Sequence, residues 1–257
     1  MAQLFFATSA RSAVGLQRKG NEDSALTSTQ VIAVADGMGG HAAGEVASRI
    51  AITKLEEISS IITNPEIDGD SAEDIYSSAL ETIDAQIKSE SQENPQLSGM
   101  GTTLTSLFLN GEKICLLHIG DSRAYRLRGN SLEQLTQDHT VIQELLNQGA
   151  ISQSDVATHP QRSVLTQVLM GDGISGAPLL ILEGKVGDRY LLCSDGLSSV
   201  LTEKEIKSLL KGKDRKGTVD ALIDATYING APDNVTVVIA DIVEASEESL
   251  VKIGAAQ

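Results

Sequence analysis

Four carboxylates in this chain stand beside apolar, strand-like runs. Asp36 follows VIAVA and precedes Gly37, Asp121 follows CLLHIG and precedes Ser122, and Asp195 follows YLLCS and precedes Gly196. Asp233 is built the other way round, with Asp233-Asn234 ahead of VTVVIADI. A strand that ends in an acid delivers its carboxylate to one edge of a sheet. A strand that begins with its acid reaches the same edge when it runs antiparallel to the others. Carboxylates gathered in a low dielectric repel one another unless they take up protons or a cation neutralises them. The pattern therefore predicts a site for a hard divalent metal, with more than one ion.

Two neighbouring runs carry chemistry of the same kind. Asp36 opens Asp-Gly-Met-Gly-Gly-His, which ends at His41. Its glycines let the backbone turn sharply off the strand and bring a carbonyl such as that of Gly37 to an ion. Upstream, Arg18-Lys-Gly-Asn-Glu-Asp23 supplies a guanidinium fork suited to a pair of phosphate oxygens. In the same run, Glu22 and Asp23 are placed to ligate metal or to hold metal-bound water. Protein nucleophiles of the usual phosphate-transfer kinds are missing. Cys115 lies eight residues before Arg123, so there is no Cys-x5-Arg, and no DxDx[TV] run occurs.

The elements that must position these groups are legible as apolar periods. Strands are predicted at 4–7, 31–35, 103–109, 114–119, 124–128, 179–183, 189–193 and 235–243, rich in Val, Ile and Leu and bounded by Gly, Asn or Asp. Asn110-Gly111 and Gly129-Asn130 read as hairpin turns, which favours antiparallel pairing. Helices are predicted at 44–62, 72–90, 139–147, from Thr202 to Leu210 with Glu205 completing a capping box, and at 218–227. Two long helices fall between early strands and two between late ones, so each pair can cover a sheet face. This is an α+β or layered α/β/α architecture with mixed or antiparallel sheets. Residues 148–176, with their Gly and His-Pro content, form a candidate lid beside the site.

Composition sets the bounds. The 257 residues suffice for one large domain or two small ones, with 41% hydrophobic and 21% charged residues. A net charge of −15 argues against nucleic acid as a partner and requires local positive charge for any anionic substrate. Cys115 and Cys193 both sit in apolar strands and read as reduced core thiols. No run approaches the length of a membrane span, and the N-terminus lacks the pattern of a signal peptide, so a cytoplasmic chain is expected.

Taken together, Arg18 with Asn21-Glu22-Asp23, DGMGGH at 36–41, Gly101-Thr102-Thr103, Gly120-Asp121-Ser122-Arg123, Asp138-His139-Thr140, Ser194-Asp195-Gly196 and Asp233-Asn234-Val235-Thr236 stand in a telling order. The chain resembles the metal-dependent serine/threonine phosphatases of the protein phosphatase 2C type from about residue 8 to 242, and most of all their compact bacterial members. The resemblance implies a four-layer α/β/β/α sandwich, two mostly antiparallel sheets flanked by helix pairs. It implies a catalytic domain over 1–245, with 148–176 as a flap and 246–257 as a frayed tail. It also implies two Mn2+ or Mg2+ ions at one end of the sandwich. By the same resemblance Asp36 bridges both ions, the Gly37 carbonyl completes one site, and Asp195 and Asp233 complete the other. Asp121 with Asp195 matches a third site, Glu22 and Asp23 hold ligating waters, Asn234 orients its neighbour Asp233, and Arg18 binds substrate phosphate. Some relatives carry a His directly after the Asp-Gly; here Met38 takes that place and His41 is the nearest imidazole.

The implied reaction is direct attack of metal-activated water on a phosphoserine or phosphothreonine, since two ions can acidify a shared water and neutralise the phosphoryl oxygens. Implied partners are phosphoproteins, those of serine/threonine kinases, met by a monomer in signalling. An inactive phosphatase-like binding module and a hydrolase of small phosphoesters are the alternatives. The first requires loss of metal acids, which this chain has not undergone.

Overall fold

The computed structural model describes residues 3–40, 43–63, 69–156, 159–174, 178–212, 214–246 and 248–257. Two antiparallel sheets pack face to face. The first has the order β1 (Phe5–Ala13), β11 (Val235–Val243), β10 (Arg189–Cys193), β7 (Arg123–Arg128), β8 (Ser131–Gln134). The second runs β12 (Val251–Gly254), β2 (Asp23–Thr27), β3 (Val31–Met38), β5 (Leu104–Asn110), β6 (Lys113–Ile119), β9 (Leu180–Glu183), with the short β4 (Gly101–Thr102) paired to the end of β3. Between the sheets lies a core of Phe6, Ile32, Val34, Leu107, Leu192 and Val238, all fully buried. Because β3, β10 and β11 are covered on both faces, their sequences are largely apolar runs rather than alternating ones.

Helices form the outer layers, apart from the short α3 (Val141–Asn147) that follows β8. α1 (Ala43–Ile62) presents Ala43, Ala47, Ala51 and Leu55 at four-residue spacing, and α2 (Gly69–Glu93) presents Tyr76, Leu80, Ile83 and Ile87; both stripes bury against the second sheet. The first sheet is covered by α4 (Asp195–Ser198), α5 (Glu203–Leu210) and α6 (Arg215–Ile228) through Leu197, Ile206, Leu222 and Ile223. The Thr202/Glu205 capping box forms as predicted, and Asp214 caps α6 by accepting from the Gly217 N–H at 2.6 Å. The result is the α/β/β/α sandwich that the resemblance implies.

One expectation is corrected here. Residues 251–254 are not a frayed tail but strand β12, paired along β2 from Val251 opposite Thr27 to Gly254 opposite Ser24. Lys252 Nζ reaches Glu56 Oε2 at 2.8 Å, and Ala256 is buried. The open edge of β2 supplies the missing driving force, since an unpaired sheet edge takes up any extended segment that can reach it. β2 and β8 were also absent from the predicted strands. Among the described residues no helix is long and apolar enough to cross a membrane.

Candidate active site

The topology brings the strand-end acids to one end of the sandwich. Asp23 opens β2 directly opposite Asp36 near the end of β3. β5 begins at that same end, just after Thr103, and β6, antiparallel to it, delivers Asp121 there. In the facing sheet, β10 runs out into Asp195 and its antiparallel neighbour β11 starts just after Asp233. The four acids first singled out therefore meet, and Asp23 joins them as a fifth.

Their mutual repulsion is visible in proton affinity. Burial pushes the Asp36 carboxyl well above the usual carboxylate range, and Asp23, Asp195, Asp121 and Asp233 push it further. Asp195 is raised by burial and then by Asp233, with its carboxyl in hydrogen-bond contact with that of Asp36. Burial, reinforced by Asp195, lifts Asp121 to about 7. Asp23 is also lifted to about 7, by burial first, against the pull of the nearby Thr236 and Ser194 hydroxyls. Asp23 Oδ2 accepts from Ser194 Oγ at 2.8 Å, while its Oδ1 is buried with no hydrogen-bond partner. A buried carboxylate oxygen left without a donor is what a cation or its ligating water would satisfy. The donor set is all oxygen, so it suits Mn2+ or Mg2+ rather than a metal that prefers sulfur or imidazole.

Among the described residues, no three acid, imidazole or thiol side chains close into a ready-made metal cage. Asp233 shows why. Its Oδ2 accepts from Arg18 Nη2 at 2.6 Å and its Oδ1 from the Asn234 N–H at 2.7 Å. Arg18 and Asp233, given separate roles by the resemblance, are thus ion-paired in this structure.

The backbone around the acids is fixed by hydroxyls and amides. The Asp36 carbonyl accepts from Thr102 Oγ1 and from the Thr103 N–H, each at 2.9 Å, and the Asp36 N–H donates to Thr103 Oγ1 at 3.0 Å. Thr103 Oγ1 lies 2.7 Å from Ser122 Oγ, joining the Asp36 and Asp121 loops. Asn234 ties three segments together: its Nδ2 donates to the carbonyls of Val14 and Gly20, and its Oδ1 accepts from the Glu22 N–H. Gly37 meets α1 at close quarters, since a Cβ there would fall 2.1 Å from the Gly44 carbonyl oxygen. His139 Nδ1 accepts from the Gly120 N–H at 3.1 Å, which holds the loop before Asp121. The His139 ring packs 4.8 Å from that of His118, whose own basicity burial drops to about 3. Arg123 grips Asp138 through both carboxylate oxygens. His41 lies outside the described residues.

A cleft of about 470 Å³ opens beside the acids, lined by Arg18, Lys19, Gly20, Asn21, Glu22, Gly39, Glu45 and Asn234. Glu22 is half-buried there, and burial raises its carboxyl despite the adjacent Arg18. Asn21 and Glu45 also border a second hollow of about 580 Å³, which lies against β12 and holds no clustered acids. Sequence reasoning singled out no role for Ser194, Thr102 or Thr103. All three lie in short runs already notable for their Asp or Gly neighbours, and that adjacency is the signal that marks them.

The profile of the protein phosphatase 2C family matches residues 20–218. The serine/threonine protein phosphatase PstP of Mycobacterium tuberculosis is 41% identical over 235 residues, 91% of this chain but 45% of PstP. This chain therefore spans about half the length of that relative. The serine/threonine phosphatase stp of Listeria welshimeri is 34% identical, covering 82% of this chain and 84% of its own. Among solved structures, the catalytic domain of PstP in complex with two manganese ions superposes with a TM-score of 0.84 at 38% identity, over 94% of this chain and all of that one.

Proposed function

Because the chain belongs to the protein phosphatase 2C family, we propose that it is a metal-dependent phosphatase hydrolysing phosphoserine and phosphothreonine in proteins. The observation that carries this reading is the meeting of Asp23, Asp36, Asp121, Asp195 and Asp233 at one sandwich end, with the Arg18 guanidinium at its rim. In this reading Asp36, the Gly37 carbonyl, Asp195 and Asp233 hold two Mn2+ or Mg2+ ions. Asp121 serves a third with Asp195, and Asp23 and Glu22 hold ligating water. When bound, the ions supply Lewis acidity: they offset the charge of the acids and of a phosphate dianion, and they acidify water near neutral pH.

The chain's own residues do the rest. Arg18, half exposed, can leave Asp233 for a phosphoryl group, because an ion pair this open to water contributes about 1 kcal/mol at most. Its fork then fixes the phosphoryl orientation through two parallel N–H donors. Ser194 holds the Asp23 carboxylate and the Thr236 N–H, and Asn234 holds the Glu22 N–H and one oxygen of Asp233, so these groups are already oriented when substrate arrives. His118 and His139 face each other beneath the Asp121 loop and are engaged with Gln137, Thr105 and Gly120, which leaves them in positioning roles. The substrates proposed are phosphoproteins made by serine/threonine kinases, and the flap proposed to meet them is the 148–176 segment.

The deciding experiment measures Mn2+-dependent hydrolysis of a phosphothreonine peptide and of p-nitrophenyl phosphate, with and without EDTA. Turnover that needs the metal and favours the peptide is expected. Activity that survives chelation sinks the metal reading, and a preference for the small ester sinks the phosphoprotein reading.

A further inference from the structure

Asp84 lies on the fifth turn of α2, outside the acid cluster, and is buried. Its carboxylate is surrounded by main-chain donors. Oδ1 accepts from the N–H groups of Met170 at 2.9 Å and Gly171 at 2.7 Å, and Oδ2 from that of Gly173 at 2.9 Å. Gly171 and Gly173 take left-handed φ values of +89° and +87°, which turn their N–H groups toward α2. One helical turn on, Lys88 closes over Gly171, where an added Cβ would fall 2.6 Å from the Lys88 Cβ. A carboxylate suits this place because several converging N–H dipoles hold an anion more firmly than a neutral acceptor.

The consequence reaches the active site in three steps. Immediately before Met170, Leu169 exchanges both main-chain hydrogen bonds with Thr102, at 2.9 and 3.0 Å. Thr102 is register-paired with Gly37, and its hydroxyl donates to the Asp36 carbonyl at 2.9 Å. So the same short strand of hydrogen bonds ties α2, the C-terminal root of the 148–176 segment and the Asp36–Gly37 peptide. Leu169, fully buried in the helix–sheet core, makes the link stiff.

We propose that Asp84 is a positioning residue. It fixes the root of the flap at 169–173 and, through Leu169 and Thr102, the placement of the Asp36–Gly37 peptide. The inference rests on the phosphatase reading of the site but concerns a side chain that touches neither substrate nor metal.

Hydrogen exchange, Mn2+ calorimetry and steady-state kinetics on a phosphothreonine peptide test it together. In Asp84→Ala, exchange at Leu169, Met170, Gly171 and Gly173 is expected to accelerate at least about tenfold beyond any change in strand β10. The Mn2+ Kd or the peptide KM should rise about threefold or more. Asp84→Asn keeps the Oδ1 acceptor for Met170 and Gly171 and loses that for Gly173, so it should fall between the two, and it serves where the alanine variant does not fold. A change in either constant together with faster exchange supports the proposal. Unaltered exchange at those amides overturns it, and so does faster exchange with Kd and KM both unmoved, which would make Asp84 a mere structural staple. A wild-type chain that bound no Mn2+ would sink the phosphatase reading instead, and the exchange comparison alone would then decide whether Asp84 fixes the segment.

Discussion

At the residue scale, the acids are close neighbours with unequal surroundings. Asp36 receives repulsion from four other carboxylates, whereas Asp121 sits at the margin with Asp195 as its main opponent. Asp36→Asn should therefore lower kcat/KM by about a thousandfold or more, because it removes the charge on which the whole cluster converges. Asp121→Asn should cost only about tenfold and shift the Mn2+ dependence, with two ions still bound in calorimetry. Equal losses in the two variants would contradict this ranking. Arg18 allows a second contrast. Its contact with Asp233 is half exposed and contributes little, so Arg18→Ala should leave the Mn2+ Kd within about fivefold. The same variant should raise KM for a phosphopeptide about tenfold or more, since a charge-assisted hydrogen bond contributes about 1.5–3 kcal/mol. A Kd that moves more than KM would make Arg18 a partner of the metal site rather than of the substrate.

At the element scale, β12 is a structural member of the site's foundation. Its Gly254 has φ +72°, and a Cβ there would fall 2.2 Å from the Asp23 carbonyl oxygen, while the Ala255 N–H donates to that carbonyl at 2.8 Å. Gly254→Ala should thus destabilise the fold by about 1–3 kcal/mol, read as a lower denaturant midpoint. An unchanged midpoint would show that β12 lies on β2 without bearing on it. Like β12, β2 and β8 were not legible in the sequence, and for these two the reasons are physical. The run Asp23-Ser-Ala-Leu-Thr is short and carries an acid and two hydroxyls, yet all five residues are buried because neighbours cover both faces. Ser131–Gln134 is a four-residue edge strand whose single apolar side chain, Leu132, is too little to show a period in the sequence. By contrast, the helices were readable from their stripes, and the capping box at Thr202 from two residues. The site acids were readable because strand ends project them along one direction. Asp84 was not, because its three partners lie 86 to 89 positions away and only the fold brings them together.

At the scale of the whole molecule, the acid cluster makes stability depend on pH in an unusual sense. Asp23 and Asp121 are lifted to about 7, and Asp36 and Asp195 are raised as well, above the value near 3.8 that each has in an unfolded chain. Between pH 4 and 7 the metal-free folded state therefore binds more protons than the unfolded state, so stability falls as pH rises through that window. The overall charge of −15 acts in the same direction, because self-repulsion grows as the remaining acids ionise. Metal-free protein should lose about 5 °C or more in Tm between pH 5 and 8, given about 2–4 °C per kcal/mol for a domain of this size. Mn2+ competes with protons for the same oxygens, so its stabilising effect should grow over the same range and flatten or reverse the slope. Asp36→Asn separates the cluster from the global charge: it removes one acid of many from the surface total but the central one from the site. Its metal-free slope should be clearly shallower than that of the wild type. A metal-free Tm that holds steady or rises from pH 5 to 8 would mean that the acids are ionised and relaxed apart in solution, and that the metal site forms only when the ions arrive.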